Sequence, residues 1–230
     1  MLRTLLRRAA TIDDVHPRAM LLEPWRAVYL PIPKVACTSM KALFANELES
    51  RYGRPLRRRA DGTTLFPAIR KTVLYNRRLY PYLYGGYCTF SLVRNPYHRV
   101  LSFYKNKIES ADPAEVKRFR RFEAGASFRR CVEIIAATPD ADASHHFRSQ
   151  AAYLVDRSGR FMPDLVGKFE TIDTDVDHIA RRIGMAAGRL DRLNASGSAD
   201  LERYFDDTIL RMIEKRYARD FDLLGYQRLS

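Results

Sequence analysis

The sequence predicts an α/β fold: a three-layer domain whose central, mostly parallel sheet is flanked by helices. Two apolar runs rich in β-branched and aromatic residues, 25–32 and 87–93, have the length and composition of buried strands. Each passes through a short turn into a segment whose apolar residues recur at helical spacing. No repeat or low-complexity linker divides the 230 residues. That length suits a single domain, taken as 1–230 with its core at about 25–228.

The elements follow in order. The start, MLRTLLRRAA, is basic and amphipathic and reads as an opening helix; its apolar run is too short for a signal sequence or a membrane span. The first strand covers Trp25 to Ile32. From Thr38 the period changes, and Met40, Leu43, Phe44 and Leu48 form one helical stripe, with Thr38 or Ser39 as N-cap and an end near Tyr52-Gly53. Residues 54–70, with Pro, Gly and clustered arginines, read as an exposed loop. Tyr87 to Val93 is the second strand, broken by Arg94-Asn95-Pro96, and Val100, Phe103, Tyr104 and Ile108 mark the next helix. Arginine-rich helix is expected from about Pro113 to Ala137, then a short extended segment and a turn at Arg157-Ser158-Gly159. Asp164 to Glu170 reads as a third strand, Asp173 as the cap of a helix through Ile183, and residues 201–226 as one long closing helix with a tail. Strand, loop and helix in alternation favour a parallel sheet, whose ligands sit at the carboxyl ends of its strands.

Charge is the outstanding feature of the composition. Forty Lys and Arg against 27 Asp and Glu leave a formal +13, a balance that favours polyanions: nucleotides, sulfated or carboxylated sugars, nucleic acid, or an acidic membrane face. Cys37, Cys88 and Cys131 are widely spaced and lack a C-x-x-C pair, which argues against a disulfide framework or a zinc site and suits a reducing compartment. No stretch approaches the roughly 20 apolar residues of a spanning helix, so a soluble protein is expected.

Two loops carry the chemistry. Ile32-Pro33-Lys34-Val35-Ala36-Cys37-Thr38-Ser39-Met40-Lys41 follows a strand and opens a helix, where P-loop proteins hold phosphate, yet it has no glycines. A helix beginning at Thr38 or Ser39 offers unpaired N–H groups and a positive dipole end to an anion. Lys34 can add its ammonium from the near side of this P-loop-like turn; the alternative is a surface lysine beside an ordinary cap. In the second loop a strand delivers Arg94, Pro96 falls near the first helical position, and Ser102 comes about two turns later. An arginine at a strand end suits fork-like phosphate binding, or equally a carboxylate partner.

Together the two loops resemble those of the carbohydrate sulfotransferases that use 3′-phosphoadenosine-5′-phosphosulfate, in particular the Golgi chondroitin/dermatan type and its bacterial relatives. Pro33-Lys34-Val35-Ala36-Cys37-Thr38 is similar to that family's 5′-phosphosulfate loop, and Val93-Arg94-Asn95-Pro96-Tyr97-His98-Arg99-Val100-Leu101-Ser102-Phe103-Tyr104 to its 3′-phosphate motif. His146-Phe147-Arg148-Ser149-Gln150, the segment from Asp164 to Asp175, and Tyr217-Ala218-Arg219-Asp220-Phe221-Asp222-Leu223-Leu224-Gly225-Tyr226 extend the resemblance over 28–226. Ser39-Met40 departs from the family's frequent Asn-Trp. The missing anchor of the Golgi enzymes leads to the expectation of a bacterial cytoplasmic enzyme, with peripheral membrane contact open.

The resemblance implies sulfuryl transfer from that co-substrate to a carbohydrate hydroxyl by in-line displacement. Lys34 would stabilise the leaving oxygen, Val35 to Ser39 would hold the 5′-phosphate, and Arg94 and Ser102 the 3′-phosphate, with no metal required. His146, matching the family histidine, and its neighbour His145 are the candidate bases, with Glu170 in reserve; His98 is expected to be exposed. The acceptor is expected to be an anionic polysaccharide or a glycolipid.

Other chemistries fit the residues less well. Cys37 at a helix start could be a nucleophile, but no histidine lies near it in sequence. Asp173, Asp175 and Asp177 mimic a calcium loop, yet His178 and Gly184 stand where Gly and Glu are needed. An ATP-dependent kinase-like transferase lacks its glycines and magnesium carboxylates. Nucleic-acid binding through the arginine stretches lacks interleaved stacking aromatics, so no specific nucleic-acid partner is expected.

Overall fold

The computed structural model describes residues 10–11, 19–60, 62–69, 74, 78–119, 121–186 and 201–230. In chain order the strands are β1 (Ala10–Thr11), β2 (Met20–Leu22), β3 (Ala27–Leu30), β4 (Pro67–Ala68), β5 (Cys88–Val93) and β6 (Leu165–Lys168). The principal helices are α1 (Cys37–Tyr52), α2 (Leu79–Tyr84), α3 (Pro96–Tyr104), α4 (Phe128–Ala136), α5 (Ile172–Ile183), α6 (Asp207–Arg216) and α7 (Ala218–Leu224). The described residues group into two compact units, one from Met1–Val93 with Tyr153–Leu193, the other from Arg94–Ala152 with Asn194–Ser230.

The first unit is α/β. Its described strands form one mixed sheet in the order β1-β4-β2-β3-β5-β6. β3, β5 and β6 run parallel, with Leu30 opposite Ser91 and Val93 opposite Lys168, while β2, β4 and β1 extend the sheet antiparallel. All four residues of β3 and the last five of β5 are buried. A strand covered on both faces reads as an unbroken apolar run rather than an alternation, which is why these two were legible. The polar exceptions in β5 are satisfied: the Ser91 hydroxyl donates to Leu30 O at 2.7 Å, and Thr89 Oγ1 shares a 2.6 Å hydrogen bond with the Tyr80 hydroxyl.

α1 buries Met40, Leu43, Phe44 and Leu48, the stripe read from the sequence, and Phe44 meets Tyr29 and Phe90 edge-on at centroid separations of 5.3 and 6.1 Å. It ends at Gly53, which takes φ 61° as a left-handed C-cap. The first strand is shorter than expected because Trp25 belongs to a 3₁₀ turn, Glu23–Trp25, closed by Arg26 at φ 46°. That turn joins β2 to β3, and its Glu-Pro pair masked β2 in the sequence. The arginine loop is also more ordered than its composition suggests. Arg58 bridges to Thr64, Glu49 of α1 accepts from Leu56 N at 3.0 Å and Arg58 at 3.1 Å, and Pro67–Ala68 returns to the sheet as β4.

The second unit is helical. Tyr97, Val100, Phe103, Tyr104, Phe128, Val132, Ile209, Ile213, Tyr217 and Phe221 form its core. α3 continues into a π-helical turn, Lys105–Glu109, and the expected helix of 113–137 is realised as a single turn, Pro113–Val116, and then α4. The closing segment is three pieces rather than one helix. Asp206 caps α6 by accepting from Ile209 N at 3.0 Å, and Tyr217 at φ −113° separates α6 from α7 while its hydroxyl donates to Phe147 O at 2.6 Å. The expected extended segment after Gln150 is a helical turn, Ala151–Leu154, leading to a bridge between Val155 and Phe161 around the anticipated turn. The expected N-terminal helix lies outside the described residues, apart from Ala10, which is in β1. Among the described residues no helix is long and apolar enough to cross a membrane.

Candidate functional site

The turn between β3 and α1 is built on unusual backbone. Pro31, Ile32, Pro33 and Val35 are buried, and the two residues flanking Val35 are left-handed, Lys34 at φ 69° and Ala36 at φ 47°. A side-chain-bearing residue in that region costs about 1 kcal/mol or more, so the surrounding packing must enforce it. Val35 is 0% exposed and anchors the turn from inside, and its N–H reaches Ile32 O at 3.3 Å. Residues of opposite hand in succession aim their N–H groups into one concavity, a nest for anions. The turn runs directly into α1, whose first N–H groups have no intrahelical acceptor; the first helical bond is Met40 N to Ala36 O, at 2.9 Å.

This corrects the expected capping. α1 begins at Cys37, its N-cap is Ala36, and no side chain caps it, so Thr38 and Ser39 lie within the first turn. Thr38 is exposed and Cys37 and Ser39 are half-buried, and the turn carries no acidic residue to offset the dipole. On β3, the Tyr29 hydroxyl is buried and has no hydrogen-bond partner among the described residues. Its pKa is pushed well up by burial and secondarily by the neighbouring Cys37. Lys34, Val35, Ala36, Cys37, Thr38 and Ser39 are therefore contiguous in the first unit, with Val35 buried beneath the turn and the others half-buried or exposed.

Arg94, Ser102, His145 and His146 belong to the second unit. Arg94 is the residue after β5 and is 3% exposed. Asn95 caps α3 by accepting from Tyr97 N at 3.0 Å, and Pro96 occupies the first helical position, as expected. Ser102 is half-buried on α3, about 9 Å along the axis from Pro96 at 1.5 Å per residue. Gln150 holds the main chain of Arg94 from both sides: Arg94 N donates to Gln150 Oε1 at 2.9 Å, and Gln150 Nε2 donates to Arg94 O at 2.7 Å.

The His146 ring stacks on Phe103 at 6.4 Å and meets Phe119 edge-on at 5.5 Å, with His145 tilted against it at 4.0 Å. Both imidazoles are half-buried, so packing accounts for much of the environment of His146. His98 is half-buried rather than exposed. Arg99, also within the second loop's motif, is 2% exposed and donates to His146 O at 3.4 Å and Arg148 O at 2.8 Å. Its work is to hold the His146–Gln150 loop. Ser149 is tied to Asp140, whose carboxyl also meets Arg216 at 2.6 Å. Burial raises the Asp140 pKa, but the bonds from Ser149 and Arg216 outweigh it and the net shift is downward.

The third parallel strand ends at Lys168, and the 3₁₀ turn Phe169–Thr171 carries Glu170, exposed. Asp173 does not cap α5; the N-cap is Thr171, which makes no side-chain capping bond to the helix N–H groups. Asp175 instead accepts from Lys168 N and the Thr171 hydroxyl, each at 2.7 Å, and Asp177 pairs with Arg181 at 3.0 Å. These acids serve the helix start. No group of three or more His, Cys, Asp or Glu among the described residues could hold a metal ion. Sequence reasoning missed the pairings of Asp220 with Gln150, of Glu214 with Tyr97 and of Gln150 with Arg94, because these partners lie 56 to 117 positions apart.

Three relatives are similar over most of the chain. Carbohydrate sulfotransferase 11 of Danio rerio is 24% identical over 199 residues, covering 77% of this chain and 56% of the relative. The proteins of that name from Rattus norvegicus and Mus musculus are 24% and 23% identical, each covering 78% of this chain and 56% of the relative. The chain thus spans little more than half the length of these relatives. No solved structure matches it. The model described as Sulfotransferase family matches residues 22–227, from β2 through the tail beyond α7 and across both loops described above. On that match the chain belongs to the sulfotransferase family.

Proposed function

We propose that the chain transfers a sulfuryl group from 3′-phosphoadenosine-5′-phosphosulfate to a hydroxyl of a carbohydrate. The observation that carries this reading is the left-handed backbone at Lys34 and Ala36 opening into α1, which supports a P-loop-like cradle made without glycine. The fit rests on the chemistry of the donors: main-chain N–H groups and hydroxyls at a dipole's positive end, a lysine beside them, and no carboxylate in the first turn. The acceptor oxygen forms a bond to sulfur as the bond from sulfur to the bridging oxygen breaks, and adenosine 3′,5′-bisphosphate leaves. Lys34 stabilises the charge that develops on the bridging oxygen, which is where a fixed donor lowers the barrier most. The N–H groups of Cys37 to Ser39 hold the 5′-phosphate, and Arg94 with Ser102 takes the 3′-phosphate. His145 or His146 receives the acceptor proton, a contribution of about 10²–10⁴-fold for a positioned base.

The acceptor proposed is an anionic glycan. The formal charge of +13 supports it, as do the exposed side chains of Arg54, Arg57 and Arg58. Titration calorimetry with adenosine 3′,5′-bisphosphate, ATP and adenosine 5′-monophosphate tests the donor. Clear preference for the bisphosphate is expected; equal affinity for ATP would turn the reading toward a kinase-like transferase. Binding only to polynucleotide, collapsing steeply with salt, would turn it toward a nucleic-acid protein.

A further inference from the structure

We propose that Gln150, held by Asp220, is a positioning residue for Arg94, so that α7 sets the grip on the donor's 3′-phosphate. The inference rests on the donor reading above. The last ladder partner of β5 is Val93, opposite Lys168. Arg94 is therefore the first residue beyond the sheet, and its peptide groups take a side chain in place of a strand. Gln150 supplies it with an acceptor at 2.9 Å and a donor at 2.7 Å, the two-point pairing a neighbouring strand would have made.

Gln150 is 0% exposed and does not stand alone. Its own N–H donates to Asp220 Oδ2, and Ala151 N–H donates to Asp220 Oδ1, both at 2.8 Å. Asp220, on α7, is also 0% exposed. Both carboxylate oxygens are thus committed to consecutive N–H groups, and two pairs of hydrogen bonds, one at Asp220 and one at the Gln150 side chain, connect α7 to the main chain of Arg94. Tyr217 donating to Phe147 O and Arg99 donating to Arg148 O fix the rest of the same loop. A buried carboxylate is a costly way to satisfy two amides, and burial pushes the Asp220 pKa up despite them. What the arrangement adds is a fixed direction for the Arg94 side chain, and a misplacement of about 1 Å in such a group can cost 10²-fold in function.

The readout is the ratio of the dissociation constant for adenosine 5′-monophosphate to that for adenosine 3′,5′-bisphosphate, which reports the 3′-phosphate grip alone. Arg94→Ala is expected to lower this ratio by tenfold or more, as loss of a charge-assisted fork should. Gln150→Ala is expected to lower it by roughly fivefold or more through two stranded peptide groups. Asp220→Asn, which keeps one good acceptor, is expected to lower it by about two- to fivefold. A role confined to folding would weaken both nucleotides equally and leave the ratio in place. A Gln150→Ala protein with a cooperative thermal transition and a ratio within about twofold of the parent would overturn the proposal. Should that variant not fold, Asp220→Asn decides by the same ratio, an unchanged value again overturning it. If Arg94→Ala itself leaves the ratio unchanged, the donor assignment falls first, a result distinct from failure of the relay alone.

Discussion

At the scale of single residues, the chemistry depends on backbone that few side chains tolerate. Lys34 and Ala36 occupy the left-handed region that glycine adopts most readily. Ala36→Gly is expected to be neutral or to stabilise by up to about 1 kcal/mol, whereas Ala36→Val, β-branched in that region, is expected to cost about 1–2 kcal/mol in urea unfolding. Equal stability of all three proteins would mean the turn is not held as described. Lys34→Ala is expected to lower kcat by about 10²–10³, the loss associated with one charge-stabilising donor, with little change in melting temperature. Normal turnover by that variant with the sulfonucleotide would exclude the role given to Lys34. The residue types of this turn were legible in the sequence; its dihedral angles were not, because nothing local in Lys-Val-Ala demands them. They follow from the burial of Val35 and the docking of α1.

At the scale of elements, β6 and α5 show how closely the edge of the parallel sheet is fitted. A Cβ on Gly167 would lie 2.7 Å from Leu92 Cδ2 and 2.9 Å from Asp175 Cβ, both closer than real contacts permit. Gly167→Ala is therefore expected to destabilise by about 1–3 kcal/mol, the usual range for overpacking, read as a shift of the denaturation midpoint. An unshifted midpoint would mean that α5 is not seated on β6. The strand and helix were both legible from apolar pattern. Their mutual approach was not, since it depends on Leu92 and Asp175, residues far apart in the chain. The closing helix failed for a related reason: its apolar spacing runs on through Phe205 and Tyr217, but the Asp206 cap and the pull of Tyr217 toward Phe147 break it.

At the scale of the whole molecule, charge and a few buried carboxyls govern the response to pH. Burial pushes the Glu214 pKa up, but bonds from the Ser230 and Tyr97 hydroxyls and from Ser230 and Leu229 N–H outweigh it, and it falls to about 2. A depressed carboxyl stabilises fully above its unfolded pKa, 4.5, and that contribution is lost as pH falls through the folded value. Asp140 acts in the same direction; Asp220, with its pKa raised, acts in the opposite one and destabilises as pH climbs past the ordinary carboxylate range. Melting temperature is expected to drop between about pH 4.5 and 2, and Glu214→Gln should flatten that part of the profile; an identical slope in the variant would show that Glu214 is not its source. The sequence alone determined the α/β class, the two loops and the family, because buried strands, helix stripes and the residue types of the two loops are written in contiguous residues. Only tertiary structure decided that Arg99 staples the His146–Gln150 loop, and that Gln150 and Asp220 hold the main chain of Arg94. The physical reason is that a buried polar group takes whatever partner the fold brings within about 3 Å, and that partner need not be near in the chain.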